Sequence, residues 1–140
     1  MKNDIAATTR NPFGVMDVPG PNDEEVERFA ADAPQAPGAA PPRLLEGDWS
    51  SRWNGGAAGT QWKEGEARIA LRDHRFYALF DWDGGAQRGL IEARRDGAAR
   101  LVGRYVNLGK PEITRPWVGT VVDDRRIDGY WPQGQLDFRR

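Results

Sequence analysis

Beyond residue 43, apolar side chains recur at every second position, the period of a β-strand, and no stretch of helical length carries a helical stripe. Turn-forming clusters punctuate this region at Asp73-His74, Asp83-Gly84-Gly85, Asp96-Gly97, residues 107–111, Asp123-Asp124 and Pro132-Gln133-Gly134. Intervals of about 8–13 residues suit antiparallel hairpins and leave no room for crossover helices. With Leu45–Trp53 as a first strand and Gln135–Arg139 as a last, the pattern predicts seven or eight strands.

Hairpin arithmetic assigns faces. A two-residue loop at Asp73-His74 sets Leu71 opposite Phe76, Ile69 opposite Ala78 and Ala67 opposite Phe80, six apolar side chains on one face. A type I′ turn at Asp96-Gly97 sets Arg94 opposite Ala99, Glu92 opposite Leu101, Leu90 opposite Gly103 and Ile91 opposite Val102. Leu90, Leu101 and Tyr105 then share one side, and Ile91, Ala93, Val102 and Val106 the other. A hairpin around Asp123-Asp124 sets Trp117 opposite Tyr130 and Thr120 opposite Ile127. A sheet of this size with open edges is a liability, so it is expected to close. The expected fold is all-β, a small antiparallel up-and-down β-barrel. Strands apolar on both faces further predict a cover on the outside.

Composition supplies that cover. Residues 1–43 hold seven of the ten prolines and no tryptophan, with four basic against seven acidic side chains. Residues 44–140 hold all six tryptophans, with sixteen basic against fourteen acidic side chains. The division is therefore an N-terminal arm over 1–43 and a barrel over 44–140. Residues 33–42, rich in Pro and Ala, read as an extended linker. Within the arm, Asn22 or Asp23 can cap a short helix over 22–32, with Asp23, Glu24 and Glu25 complementing its N-terminal dipole. Val26, Phe29 and Ala30 fall on one face of it. So short a helix is marginal in water and forms only by docking. Phe13, Met16, Val26 and Phe29 are the side chains that would dock it, on the barrel or on a larger protein partner.

Gly47-Asp48-Trp49 is similar to the Gly-x-Trp that opens the first strand of calycins, the lipocalin and avidin-type barrels. Arg139 and Arg140 stand where such barrels keep an Arg packed on that Trp, and Leu101-Val102-Gly103-Arg104-Tyr105 resembles the Leu-x-Gly-x-Tyr strand of avidin-like barrels. The resemblance implies a barrel that holds a small ligand in its mouth. A Thr-Asp-Tyr-type second motif is missing.

Several chemistries are excluded. The chain has no Cys and one His, so thiolate metal sites, disulfides, thiol nucleophiles and multi-histidine centres are absent. His74 lies in a turn, a poor place for an axial ligand, and Asp81 to Gly85 offers too few oxygens for calcium. Phosphate-cradling and nucleophile-elbow motifs are missing. No metal and no cofactor are expected. Arg outnumbers Lys by 17 to 3, but interspersed acids argue against a nucleic-acid partner. No apolar run is long enough to span a membrane, and Met1 to Thr9 lacks the apolar core of a secretory signal, so a cytoplasmic location is expected.

The tryptophans carry the positive signal. Trp49 is assigned to structure. Trp82, Trp117 and Trp131, with Tyr105 and Tyr130, are the candidates for lining a cavity, Trp117 and Tyr130 because they pair beside the space left by Gly119. Glu92 and Arg94 share a face. Turned inward they form a desolvated acid/base pair with catalytic potential; turned outward they form a surface pair. Arg104 is a further candidate contact. Three functions follow as expectations: a binder of a small apolar or aromatic ligand, an accessory subunit docking through its arm, or a cofactor-free cyclase or isomerase using Glu92 and Arg94 with the arm as lid.

Overall fold

Asp73 and His74 both lie at positive φ, 51° and 67°, the backbone that a two-residue type I′ hairpin requires. The strands they join run Lys63–Arg72 (β2) and Arg75–Trp82 (β3), and Leu71 stands opposite Phe76, Ile69 opposite Ala78 and Ala67 opposite Phe80, as the pattern predicts. The computed structural model describes residues 23–33 and 45–140. Around this hairpin lie β1 (Gly47–Trp53), β4 (Gln87–Arg95), β5 (Arg100–Asn107), β6 (Thr114–Asp123), β7 (Arg126–Trp131) and β8 (Gly134–Arg139). Each strand pairs antiparallel with the next, and β8 returns to pair with β1, so the eight strands close into an up-and-down barrel.

Two of the three expected registers are corrected. The β4–β5 connection is longer than two residues: Asp96 N–H donates to Arg100 O at 2.8 Å, and only Gly97 there has positive φ. Glu92 consequently pairs with Arg104, Leu90 with Val106 and Arg94 with Val102, three places from the expected partners. Because side chains alternate, an odd slip exchanges the faces. Ile91, Ala93, Leu101 and Tyr105 now share the inside, while Leu90, Glu92, Arg94, Val102, Arg104 and Val106 face out. In the β6–β7 hairpin a register shift between Val121 and Asp123 places Val118 opposite Tyr130 and Thr120 opposite Asp128. Trp117 therefore does not pair with Tyr130, nor Thr120 with Ile127. One turns into the barrel and the other out of it.

The interior is filled by matching large rings to missing side chains. Trp117 is fully buried and lies over Gly119 and Gly129; a methyl group added at Gly119 would sit 2.3 Å from its ring. Its indole stacks on Phe76 (centroids 6.1 Å apart), meets Phe138 edge-on, and donates from Nε1 to Leu136 O at 3.1 Å. The space left by Gly119 is thus taken by Trp117 itself. Trp49 closes the same region: its Nε1 donates to Leu45 O at 2.7 Å, and the Arg140 guanidinium lies 4.4 Å over its ring. This is the Arg-on-Trp packing that the calycin resemblance implies. On the outer wall, Asp137 ties the closing strands together, accepting from Gly129 N at 2.9 Å and from Arg52 Nε at 3.3 Å. Burial raises its pKa, opposed by the Gly129 N–H and by Arg139 and Arg52.

The outside is covered as well. The helix α1 (Asp23–Asp32) lays Val26 and Ala30, followed by Ala33, against Val102 of β5 and Val118 of β6, with Phe29 at the margin. Glu27 pairs with Arg94, and Arg100 donates to Ala30 O. Val26 and Phe29 are therefore engaged on the chain's own barrel; Phe13 and Met16 lie outside the described residues.

Two substitutions test this packing. Gly119→Ala should destabilise the protein by about 1–3 kcal/mol in urea unfolding, because the indole has no alternative space. Ala30→Asp should cost on the order of 1–3 kcal/mol, a loss bounded by the docking energy of the helix. It should expose residues 23–33 to protease and leave the barrel's far-ultraviolet spectrum intact.

Candidate functional site

In an up-and-down barrel the last residues of β1, β3, β5 and β7 emerge at one end. Here those positions carry Trp53, Trp82, Asn107 and Trp131, with Tyr105 one inward step below Asn107. Alternation turns Trp53, Trp82, Tyr105 and Trp131 toward the axis, and together they rim a cavity of about 220 Å³. Phe80 and Leu136 line it more deeply, and beneath them Phe138 meets Phe80 edge-on at 5.9 Å, so the aromatic core floors the cavity. Connecting segments add Ala57, Ile113 and Gln133.

The rings hold one another. Trp53 meets Trp82 at 5.4 Å and Trp131 at 6.2 Å, both edge-on, and Tyr105 meets Trp131 at 6.2 Å. Phe80 lies 5.6 Å from Trp82 and 5.9 Å from Tyr105. Such edge and tilted contacts suit the ring quadrupole and fix the wall. Gly89 makes room for them, since a Cβ there would fall 2.6 Å from the Phe80 ring and 2.8 Å from Tyr105. Trp131 Nε1 donates to Asn54 O at 2.9 Å, whereas the buried Trp53 Nε1–H has no acceptor among the described residues.

Polar groups at the wall are few. Burial pushes the Tyr105 hydroxyl up to about 12, opposed by a hydrogen bond with the Asn107 side chain and by the nearby Arg115 charge. Arg115 faces inward from the start of β6, two residues before Trp117 and opposite Tyr105. Its Nη1 donates to Thr114 O at 2.9 Å.

Of the side chains singled out from sequence, the structure gathers Trp82, Tyr105 and Trp131 at this cavity. Trp117 lies below it in the core, and Tyr130 faces outward beside Val118. Glu92 and Arg104 face outward too, bonded to each other at 3.1 Å. Arg94 does not pair with Glu92; it meets Glu27 and Asp96. Glu92 is nonetheless buried, and burial together with the Glu92 charge raises the pKa of neighbouring Tyr77. Neither Glu92 nor Arg94 borders the cavity. Trp53, Phe80 and Arg115 escaped the sequence reading, although parity with Trp49, Phe76 and Trp117 places each on the inner face. Among the described residues no three His, Cys, Asp or Glu side chains come together as metal ligands, and no helix is long and apolar enough to cross a membrane.

No protein-family model matches the chain, and no curated protein matches it in sequence. Solved structures similar to it share the fold. One is a redesigned β-barrel, 14% identical, with a TM-score of 0.56 over 69% of this chain and 91% of that one. Another is the redesigned β-barrel mFAP1 bound to DFHBI, 16% identical, with a TM-score of 0.54 over 70% of this chain and 96% of that one.

The Tyr105 hydroxyl gives the site a pH signature. The unfolded chain ionises this group near 10 and the folded chain near 12, so the folded state binds more protons between those values. Stability should be unaffected below pH 10 and fall as pH rises from 10 to 12, by about 1.4 kcal/mol per pH unit for this group. Tyr105→Phe should make that decline shallower in urea unfolding measured across the interval.

Proposed function

We propose that the protein is a calycin-like barrel that binds a small aromatic or apolar molecule in its open mouth, between Trp53, Trp82, Tyr105 and Trp131. The observation that carries this reading is the difference between the two ends of the interior: the cavity of about 220 Å³ at one end is walled by Trp53, Phe80, Trp82, Tyr105 and Trp131, whereas the space of about 240 Å³ at the other end, beyond Trp117, is lined largely by the polar and charged side chains of Arg72, Asp73, His74, Arg75 and Arg95. A cavity of about 220 Å³ lies below the roughly 300 Å³ at which pockets for drug-sized ligands begin, which favours a ligand of one or two rings. Gly47-x-Trp49 capped by Arg140 supports the calycin likeness, and the similar barrel mFAP1 has been solved bound to DFHBI.

Binding is favoured over turnover because the acid/base candidates Glu92 and Arg94 stand on the outer wall. Docking on a partner through Val26 and Phe29 competes with their packing on Val102 and Val118. Titration of the full chain with 2-naphthamide, a neutral bicyclic amide, should quench tryptophan fluorescence saturably. Trp131→Ala should weaken that binding about tenfold, the loss of one aromatic wall contact. Tyr130→Ala, one residue away but on the opposite face, should leave it unchanged. Equal effects from the two substitutions, or no saturable quenching, would remove the reading.

A further inference from the structure

Arg115 is the single charged side chain lining the cavity among the described residues. It is half-buried, and no described carboxylate lies within 4.0 Å of its guanidinium. Several arginines of the barrel wall are paired, Arg104 with Glu92, Arg126 with Asp128, and Arg139 with Asp128 and Asp137, whereas Arg75, Arg88 and Arg95 share with Arg115 the lack of a described carboxylate within 4.0 Å but do not line this cavity. A guanidinium offers five donors and is costly to desolvate without a counter-charge. Arg115 spends one N–H on Thr114 O, leaving others for the cavity side of β6. A second, independent observation has the same sign: Trp53, on the same cavity, buries an Nε1–H with no acceptor. The wall thus carries unmatched donors and, among the described residues, no carboxylate, its neutral polar side chains being Tyr105, Asn107 and Gln133. The Asn107 carbonyl oxygen is already occupied by the Gly109 and Lys110 N–H groups at 2.9 and 3.1 Å.

Resting on the binding function proposed above, we infer that the ligand is an aromatic anion, a one- or two-ring carboxylate whose rings lie among Trp53, Trp82 and Trp131 and whose charge pairs with Arg115. The aromatic wall supplies the apolar contact. The guanidinium fixes the orientation, acid group toward the start of β6. A bidentate Arg–carboxylate contact is directional as well as charge-assisted, so it selects for a planar acid over a neutral isostere.

Three probes of one shape test this on the full chain at neutral pH, by calorimetry and tryptophan quenching: 2-naphthoate, 2-naphthamide and 2-naphthylmethylammonium. Wild-type protein should bind the anion about tenfold more tightly than the amide, and the cation most weakly. This ordering needs no variant. Arg115→Gln should bring the anion-to-amide ratio near one while leaving amide affinity in place, and Arg115→Lys should restore part of the preference. Binding of the amide as tightly as the anion by wild-type protein overturns the assignment of an anionic ligand and leaves the aromatic pocket standing. A preference that persists in Arg115→Gln overturns the role of Arg115. Failure of all three probes to bind overturns the pocket itself.

Discussion

A closed barrel must fill the space that closure creates, and in this protein Trp117 does most of that filling. Its indole occupies the volume that Gly119 and Gly129 leave free, stacks on Phe76 and reaches across to the backbone of β8. Protein interiors tolerate few voids, so a ring of this size fixes what its neighbours can be. Small residues at Ala78, Ala93 and Gly103 surround the large ones at Phe76, Phe138 and Trp49. The alternation keeps eight strands at a radius that side chains can span. At the end where β1, β3, β5 and β7 finish, the rings face one another and enclose space.

The outer surface obeys a second constraint. Val102 and Val118 are apolar on the outside of their strands, and the short helix α1 removes them from water with Val26, Ala30 and Ala33. Ten residues would not hold a helix alone. Docking supplies the missing stability, reinforced at the edge by Glu27–Arg94 and by Arg100 reaching Ala30 O. The helix is in this respect part of the fold. Arg94, turned outward by the β4–β5 register, serves the helix rather than the cavity. The seam where β8 meets β1 has its own fastening, the buried Asp137 carboxylate shared by Gly129, Arg52 and Arg139.

Charge is distributed with a clear division between wall and mouth. Several outward arginines are matched by carboxylates, as Arg104 is by Glu92 on the neighbouring strand and Arg126 by Asp128 on its own. The inward Arg115 is matched by none among the described residues. An aromatic cavity with one uncompensated cation is the arrangement on which the proposal of a flat acid as ligand rests. Tyr105, the cross-strand neighbour of Arg115, is neutral at neutral pH and adds no negative charge that would repel such a ligand.

What the chain determined by local rules was legible without coordinates: alternation, turn residues and composition were enough for an antiparallel barrel, a short helix near the N-terminus, and the Asp73-His74 register. Trp82, Tyr105 and Trp131 were recognisable as cavity candidates. The β4–β5 and β6–β7 registers were not, because both faces of those strands are apolar and the hydrophobic pattern could not choose between them. A longer loop after Arg95 and a bulge near Val122 decided them, and each reverses a face. Those reversals put Glu92, Arg104 and Tyr130 outside and left Arg115 inside. Which tryptophans enclose space and which fill it was likewise a tertiary matter. It depends on where Gly89, Gly119 and Gly129 stand on neighbouring strands, and only the closed barrel brings those strands together.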